Sequence, residues 1–228
     1  MEKDQSKGLT LLKKGQKGIV HAIFSRMGLI LLLLLVHIFL LFCAFRWFAG
    51  FLPHIYGGAV IFTVGMVLMY VASSLYHFWA PDTKGKRVLR LLDHLSIYLL
   101  IACSYTPVCM ELVENDLYVQ GWVAFGVIWL IAIMGIFYKI FFWHKFPQLS
   151  LILYLLLGWS VLFFIEPVRH CISSLAIIFI LCEGIAYTSG TYFFINDHKH
   201  IYYHGYWHIF VILGTLFHWA AVFVMTLT

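Results

Sequence analysis

Charge is what this sequence has least of. Aspartate, glutamate, lysine and arginine together make up 11 % of its 228 residues, less than half the share of an ordinary soluble domain. That scarcity excludes a chain that covers its own surface with solvated groups. Paired cysteines are missing too. Cys43, Cys103, Cys109, Cys171 and Cys182 form no CxxC pair and mostly lie inside apolar runs, which makes them small packing residues rather than a thiol site. There is no linker, no low-complexity tract and no internal repeat, so the chain reads as one domain.

What the sequence has in abundance is apolar length. Hydrophobic residues are 63 % of the chain, in long unbroken runs. A membrane β-barrel needs short alternating segments, so these runs point instead to an all-α integral membrane protein whose helices satisfy their own backbone in lipid. Seven spans are expected, at roughly 27–45, 56–80, 89–111, 119–138, 149–165, 172–195 and 204–226. Residues 1–26 form a polar basic tail, and 27–228 a single membrane domain. The first apolar run has no convincing small-residue cleavage site after it and reads as a retained span. Short polar turns separate the later spans: 81–87, Glu114-Asn115-Asp116, 166–170 and 196–200. Pro107 lies inside the third span, where a proline can kink a helix.

Basic residues set the expected orientation. With seven spans, the tail and the loops after spans two, four and six share one side. That side holds 13 of the 15 lysines and arginines, and only Arg46 and Arg169 fall on the other. The positive-inside rule then puts the N terminus in the cytoplasm and the C terminus outside. The net charge of +5 reads as topology and lipid head-group contact, not as nucleic-acid binding.

Topology also brings ionisable groups to one depth. His77 ends span two, Asp93 and His94 begin span three, and His204 and His208 begin span seven. Such groups are costly inside a bilayer and mark function. His204 and His208 are four apart, one helical turn on one face. Three imidazoles with an open fourth position make a catalytic zinc site; His77, His204 and His208 are the candidate ligands. Asp93 would stand behind the metal, orienting a ligand or polarising a water. Ser73, one turn before His77, would place a hydroxyl beside that water. A buried site of this kind, open to lipid, suits an acyl-chain amide or ester. The bland reading is that an HxxxH pair at a membrane interface only bonds head groups or neighbouring helices. His94 points about 100° away from Asp93 and reads as structural; His198 and His200 read as solvated loop residues. His218, about 15 Å further along the helix than His208, is too far for the same ion and is expected to bond within the bundle. Glu183, mid-span, must face the interior, with no partner evident from the sequence.

The set Ser73-x3-His77, Leu92-Asp93-His94 with Tyr105-Thr106-Pro107 downstream, and His204-x3-His208 resembles the hemolysin III branch of the progestin and adipoQ receptor family. Gly184-x2-Tyr187-Thr188-x-Gly190 resembles that branch as well, and the likeness runs from about residue 15 to the end. The resemblance implies seven spans with a cytoplasmic N terminus, a bacterial inner-membrane location, Zn2+ on His77, His204 and His208, and roles for Asp93 and Ser73 beside it. Eukaryotic adiponectin-receptor members of the family are similar to lipid amide hydrolases acting on ceramide. Bacterial members carry a hemolysin label, and a part in membrane homeostasis has been proposed for them. The long N-terminal extension of the adiponectin receptors is absent here, so hormone binding is not implied.

Three functions stay open at this stage. A zinc-dependent hydrolase of a membrane lipid is favoured by the open fourth position. A non-catalytic sensor of membrane state with structural zinc is favoured by the lack of a second strong acid or base beside Asp93. A cytolysin fits least, because seven apolar spans describe a resident membrane protein. HxxxH pairs also occur in di-iron membrane oxygenases, which need more histidines than are placed here. A haem held between His77 and His208 is a further imitation of the pattern.

Overall fold

The computed structural model describes residue 15 and residues 55–80, 83–142 and 147–227. The basic tail and the first expected span, 27–45, lie outside the described residues. Within them the protein is all-helical: α1 (Ile55–Phe78), α2 (Lys84–Glu114), α3 (Tyr118–Phe142), α4 (Pro147–Gly158), a 3₁₀ segment (Trp159–Phe164), α5 (Ile165–Cys171), α6 (Ser174–Ile195) and α7 (Tyr203–Met225), with no strand. Among the described residues six helical stretches are long and apolar enough to cross a membrane; the fourth of them, Gln148–Cys171, counts its internal 3₁₀ segment in one span and covers the expected fifth span. At 1.5 Å per residue, the 24 residues of α1 reach about 36 Å, more than a hydrocarbon core requires.

Two expected boundaries are corrected. The loop expected at 81–87 is mostly helix, because α2 starts at Lys84. Thr83 caps it, its Oγ1 accepting from the Lys86 amide at 3.1 Å. The fifth span does not turn at 166–170 either. Helix resumes at Ile165, where Pro167 sits in the first turn and needs no amide partner. Glu166 then braces the turn against Arg169 Nε at 3.0 Å and His170 Nε2 at 3.1 Å. The expected turn after the third span is present. Asp116 takes a left-handed φ of 63°, and the Leu117 amide closes back on the Leu112 carbonyl at 3.0 Å, the Schellman arrangement.

α2 is the hub of the bundle, with fourteen buried residues along its length, from Ser96 to Val113. It packs along α1 and α3 and touches α4, α5 and α7, while α6 and α7 pair as a hairpin. Where α1 meets α2 the chains nearly touch: a Cβ on Gly58 would lie 2.6 Å from Pro107 Cα, so only glycine fits. α3 faces α2 with Gly121, Ala124, Ile128, Ala132 and Gly135, and turns Trp122, Val127, Leu130 and Phe137 outward. Large apolar side chains therefore point to lipid, and mainly small ones point inward. Tyr105 of α2 serves the break between α4 and the 3₁₀ segment. Its hydroxyl donates to the Gly158 carbonyl at 2.6 Å and accepts from the Val161 amide at 2.9 Å. Backbone groups released inside a span are thereby satisfied by protein.

Candidate metal centre

The last turn of α1 and the first two turns of α7 meet at one end of the bundle. His77, a half-buried residue, is brought there by α1; His204 and His208, one turn apart, are brought by α7. One ligand nitrogen from each lies within 4.8 Å of the other two, and this is the one such group among the described residues. The rings meet edge to face, with centroids 5.3 Å apart for His77 and His204, 5.0 Å for His77 and His208, and 4.9 Å for His204 and His208.

The nitrogen spacing tests the fit of a metal. His77 Nε2 and His208 Nε2 are 3.2 Å apart. Two ligands about 2.05 Å from a tetrahedral zinc are separated by about 3.3 Å. The same distance also suits a hydrogen bond, with one Nε2 carrying the proton. It leaves no room for a porphyrin between the two rings, so His77 and His208 are not haem ligands in this arrangement. Three imidazoles, with no fourth His, Cys, Asp or Glu in the group among the described residues, match the donor set of an open zinc site.

Three charged groups lie close to the elements that carry the imidazoles. Asp197, which the sequence offered only as part of a turn, points Oδ2 at His204 Nδ1 across 3.5 Å. That spacing is an ion-pair proximity and not a hydrogen bond, since His204 Nδ1 makes none among the described residues. Asp93 is bonded by the Ser73 hydroxyl, and Ser73 precedes His77 by one turn of α1. Asp93 is not among the atoms within 4.8 Å of the histidine set. Lys86 of α2 donates to the Tyr76 carbonyl and lies over the Tyr76 ring, 4.1 Å from its centroid. That ring packs on His77 at 4.7 Å. The lysine thus satisfies a carbonyl left open at the end of α1 and steadies the residue beside the ligand. Sequence reasoning had assigned Lys86 to topology alone. A basic residue close after a helix end was the available signal, and so was an acid seven residues ahead of His204.

The other described histidines fall elsewhere. His94 turns Nδ1 back to the Arg90 carbonyl at 2.7 Å, and its own carbonyl accepts from Tyr154 at 2.8 Å. His198 and His200 are exposed in the connection between α6 and α7. His218 meets Glu183, giving the mid-span acid its partner.

Residues 17–219 match the model of a family described as Haemolysin-III related. The chain is 35 % identical over 155 residues to Hemolysin-3 of Bacillus cereus, covering 68 % of each chain. It is likewise 35 % identical over 167 residues to the Hemolysin-3 homolog of Bacillus subtilis (strain 168), covering 73 % of this chain and 74 % of that one. A more distant likeness, 26 % over 170 residues, joins it to the Monocyte to macrophage differentiation factor of Homo sapiens, covering 72 % of this chain and 68 % of that one.

Proposed function

The chain belongs to the Haemolysin-III-related family of membrane proteins, and from that premise we propose that it is a zinc-dependent hydrolase of a membrane lipid amide or ester. The observation that carries the reading is the convergence of His77, His204 and His208 from α1 and α7, with ligand atoms within 4.8 Å. In this reading the chain spans the membrane seven times with its N terminus in the cytoplasm of a bacterial inner membrane, and its partners are lipids rather than nucleic acid.

Zinc, when bound, supplies a Lewis acid that lowers the pKa of a water and polarises a carbonyl. The three imidazoles would hold the ion, and Asp197, 3.5 Å from His204 Nδ1, would place a negative charge behind that ligand. Asp93 takes the proton from the attacking water and returns it to the leaving group. Ser73, bonded to Asp93, keeps that carboxyl aimed. Large apolar side chains cover the outer faces of the helices, and in this reading an acyl chain would approach the site from the bilayer.

A non-catalytic reading has one observation on its side. The ligands join the first and last described helices, so a bound ion would clamp the bundle and serve a sensor of membrane state. A cytolysin has only the Hemolysin-3 name of the relatives behind it, and long apolar spans fit a resident membrane protein better. Elemental analysis of detergent-purified protein beside a His204→Ala/His208→Ala double variant tests the site: about one zinc per chain is expected in the wild type and none in the variant. Hydrolysis of a short-chain ceramide by wild type then separates the two readings. Zinc with no turnover of any lipid amide or ester would leave the clamp.

A further inference from the structure

The fifth expected span is broken in its middle. α4 stops at Gly158, and Trp159–Phe164 winds as a 3₁₀ segment before α5 begins at Ile165. A 3₁₀ turn takes three residues instead of 3.6, so the side chains after Gly158 leave the faces that α4 had set. Two anchors hold the break. Trp159 Nε1 donates to Thr188 Oγ1 of α6 at 3.0 Å, and its ring lies where a Cβ on Gly184 would meet it at 3.1 Å. Tyr105 of α2 bonds both Gly158 and Val161. The segment is thus tied to α6 and α2, and its remaining side faces α3.

On that side lies a groove of about 750 Å³, within the size range of small-molecule sites. Ala124, Ile128 and Leu157 form its buried floor, while Val127, Leu156 and Phe163 stand exposed at its rims. Along α3 it runs from Gln120 to Ile131, about 16 Å of helix. That is roughly half of a hydrocarbon core about 30 Å thick. α2 starts near the histidine end of α1 and finishes where α3 starts, so Gln120 marks the end of the bundle opposite His77. The groove therefore belongs to the leaflet away from the triad.

Its size and lining decide among occupants. An ordered water needs two to four polar partners. The groove offers Gln120 at one end and Ser160, whose hydroxyl already donates to the Leu157 carbonyl at 2.6 Å. A helix of a second copy is about 10 Å across and would take about 1,200 Å³ over the same length, more than the groove holds. An acyl chain is narrow, apolar and as long as one leaflet is deep. We propose that the groove between α3 and the broken span binds one acyl chain of a membrane phospholipid, in the leaflet opposite the histidine triad. The chain enters from the bilayer between the rims at Val127 and Leu156. Its ester lies toward Gln120, whose carboxamide N–H donates to the ester carbonyl. The buried floor gives the chain contacts that lipid against a convex helix face lacks. The site uses none of the metal-centre residues, so it stands whether or not the triad is catalytic.

The test is native mass spectrometry of the full chain in detergent after incubation with a palmitoyl-oleoyl phospholipid. Wild type should retain one phospholipid per chain. Val127→Trp and Leu156→Trp fill the groove from opposite rims and should each retain it several-fold less. Leu130→Trp, on a comparably exposed residue of α3 outside the groove, should retain it as wild type does. So should the His204→Ala/His208→Ala variant, whatever its metal content. Thermal unfolding gives a second reading: added phospholipid should raise the midpoint of delipidated wild type and leave both groove variants where they were. A cooperative melt also shows that a variant has folded, and either groove variant alone carries the decision. No lipid on wild type, equal retention in Val127→Trp and Leu130→Trp (lipid of the general annulus only), a retained free fatty acid instead of phospholipid, or a dimer instead of a lipid adduct would each overturn the proposal.

Discussion

Two histidine sites among the described residues are built on opposite plans. At the end of α1 and the start of α7, three imidazoles turn their nitrogens toward one another, and Asp197 Oδ2 stands 3.5 Å from His204 Nδ1 without a hydrogen bond. Midway along α7, one imidazole is matched to one carboxylate at 2.6 Å. Imidazoles facing each other offer lone pairs in excess of protons, which suits a cation. An imidazole facing a carboxylate has its charge balanced already, which suits a proton. The spacing of residues on one helix, His204, His208 and His218, thus yields two chemistries because different helices stand opposite them.

The sharpest way to break that contrast is to remove one histidine from each plan. His77→Ala should take the metal content of purified protein from about one per chain to none, and His218→Gln should leave it unchanged by elemental analysis. Equal loss in both would make the two sites one. Next comes Asp93→Ala, which should retain most of the metal and lose lipid hydrolysis; wild-type turnover with a short-chain ceramide would remove Asp93 from the chemistry. At the Glu183–His218 pair, Glu183→Ala strands an imidazole in the interior and should cost about 3 kcal/mol of stability, read as a lower denaturation midpoint in detergent. Asp197→Ala, by contrast, should leave stability nearly unchanged and weaken metal binding about tenfold, measured by competition with a chelator. Smallest of all, Lys86→Met should loosen the end of α1 by about 0.5 kcal/mol, visible as faster amide exchange near Tyr76 with the metal content intact.

Legibility followed the physics of each feature. His77, Asp93, His204 and His208 stood out because ionisable residues are rare in long apolar runs, and alternating spans assign each to a membrane depth. Asp197 and Lys86 did not stand out, since charges in loops are common and only the folded chain shows that one faces His204 and the other closes over Tyr76. The helix at 84–87 was hidden because lysines and arginines read as loop, while the Thr83 cap that starts it is a single local bond. The continuation through 166–170 was hidden by Pro167, which ends helices in their interior but is tolerated in a first turn. Glu183 announced that it needed a partner without saying which, and His218 announced the reverse.

Hydropathy and charge in the sequence determined that this is a helical membrane protein, roughly where its described spans lie, and which ionisable residues share a depth. These follow from the cost of burying charge and unpaired backbone in lipid, which acts on each segment by itself. Only the tertiary structure decided which face of each helix turns inward. Lipid and protein core are equally apolar, so hydropathy does not distinguish them. That choice rests on close approaches such as Gly58 on Pro107 and on bonds such as Tyr105 to Gly158, made between residues far apart in the chain. It is also what turned three histidines toward one another and a fourth toward a glutamate.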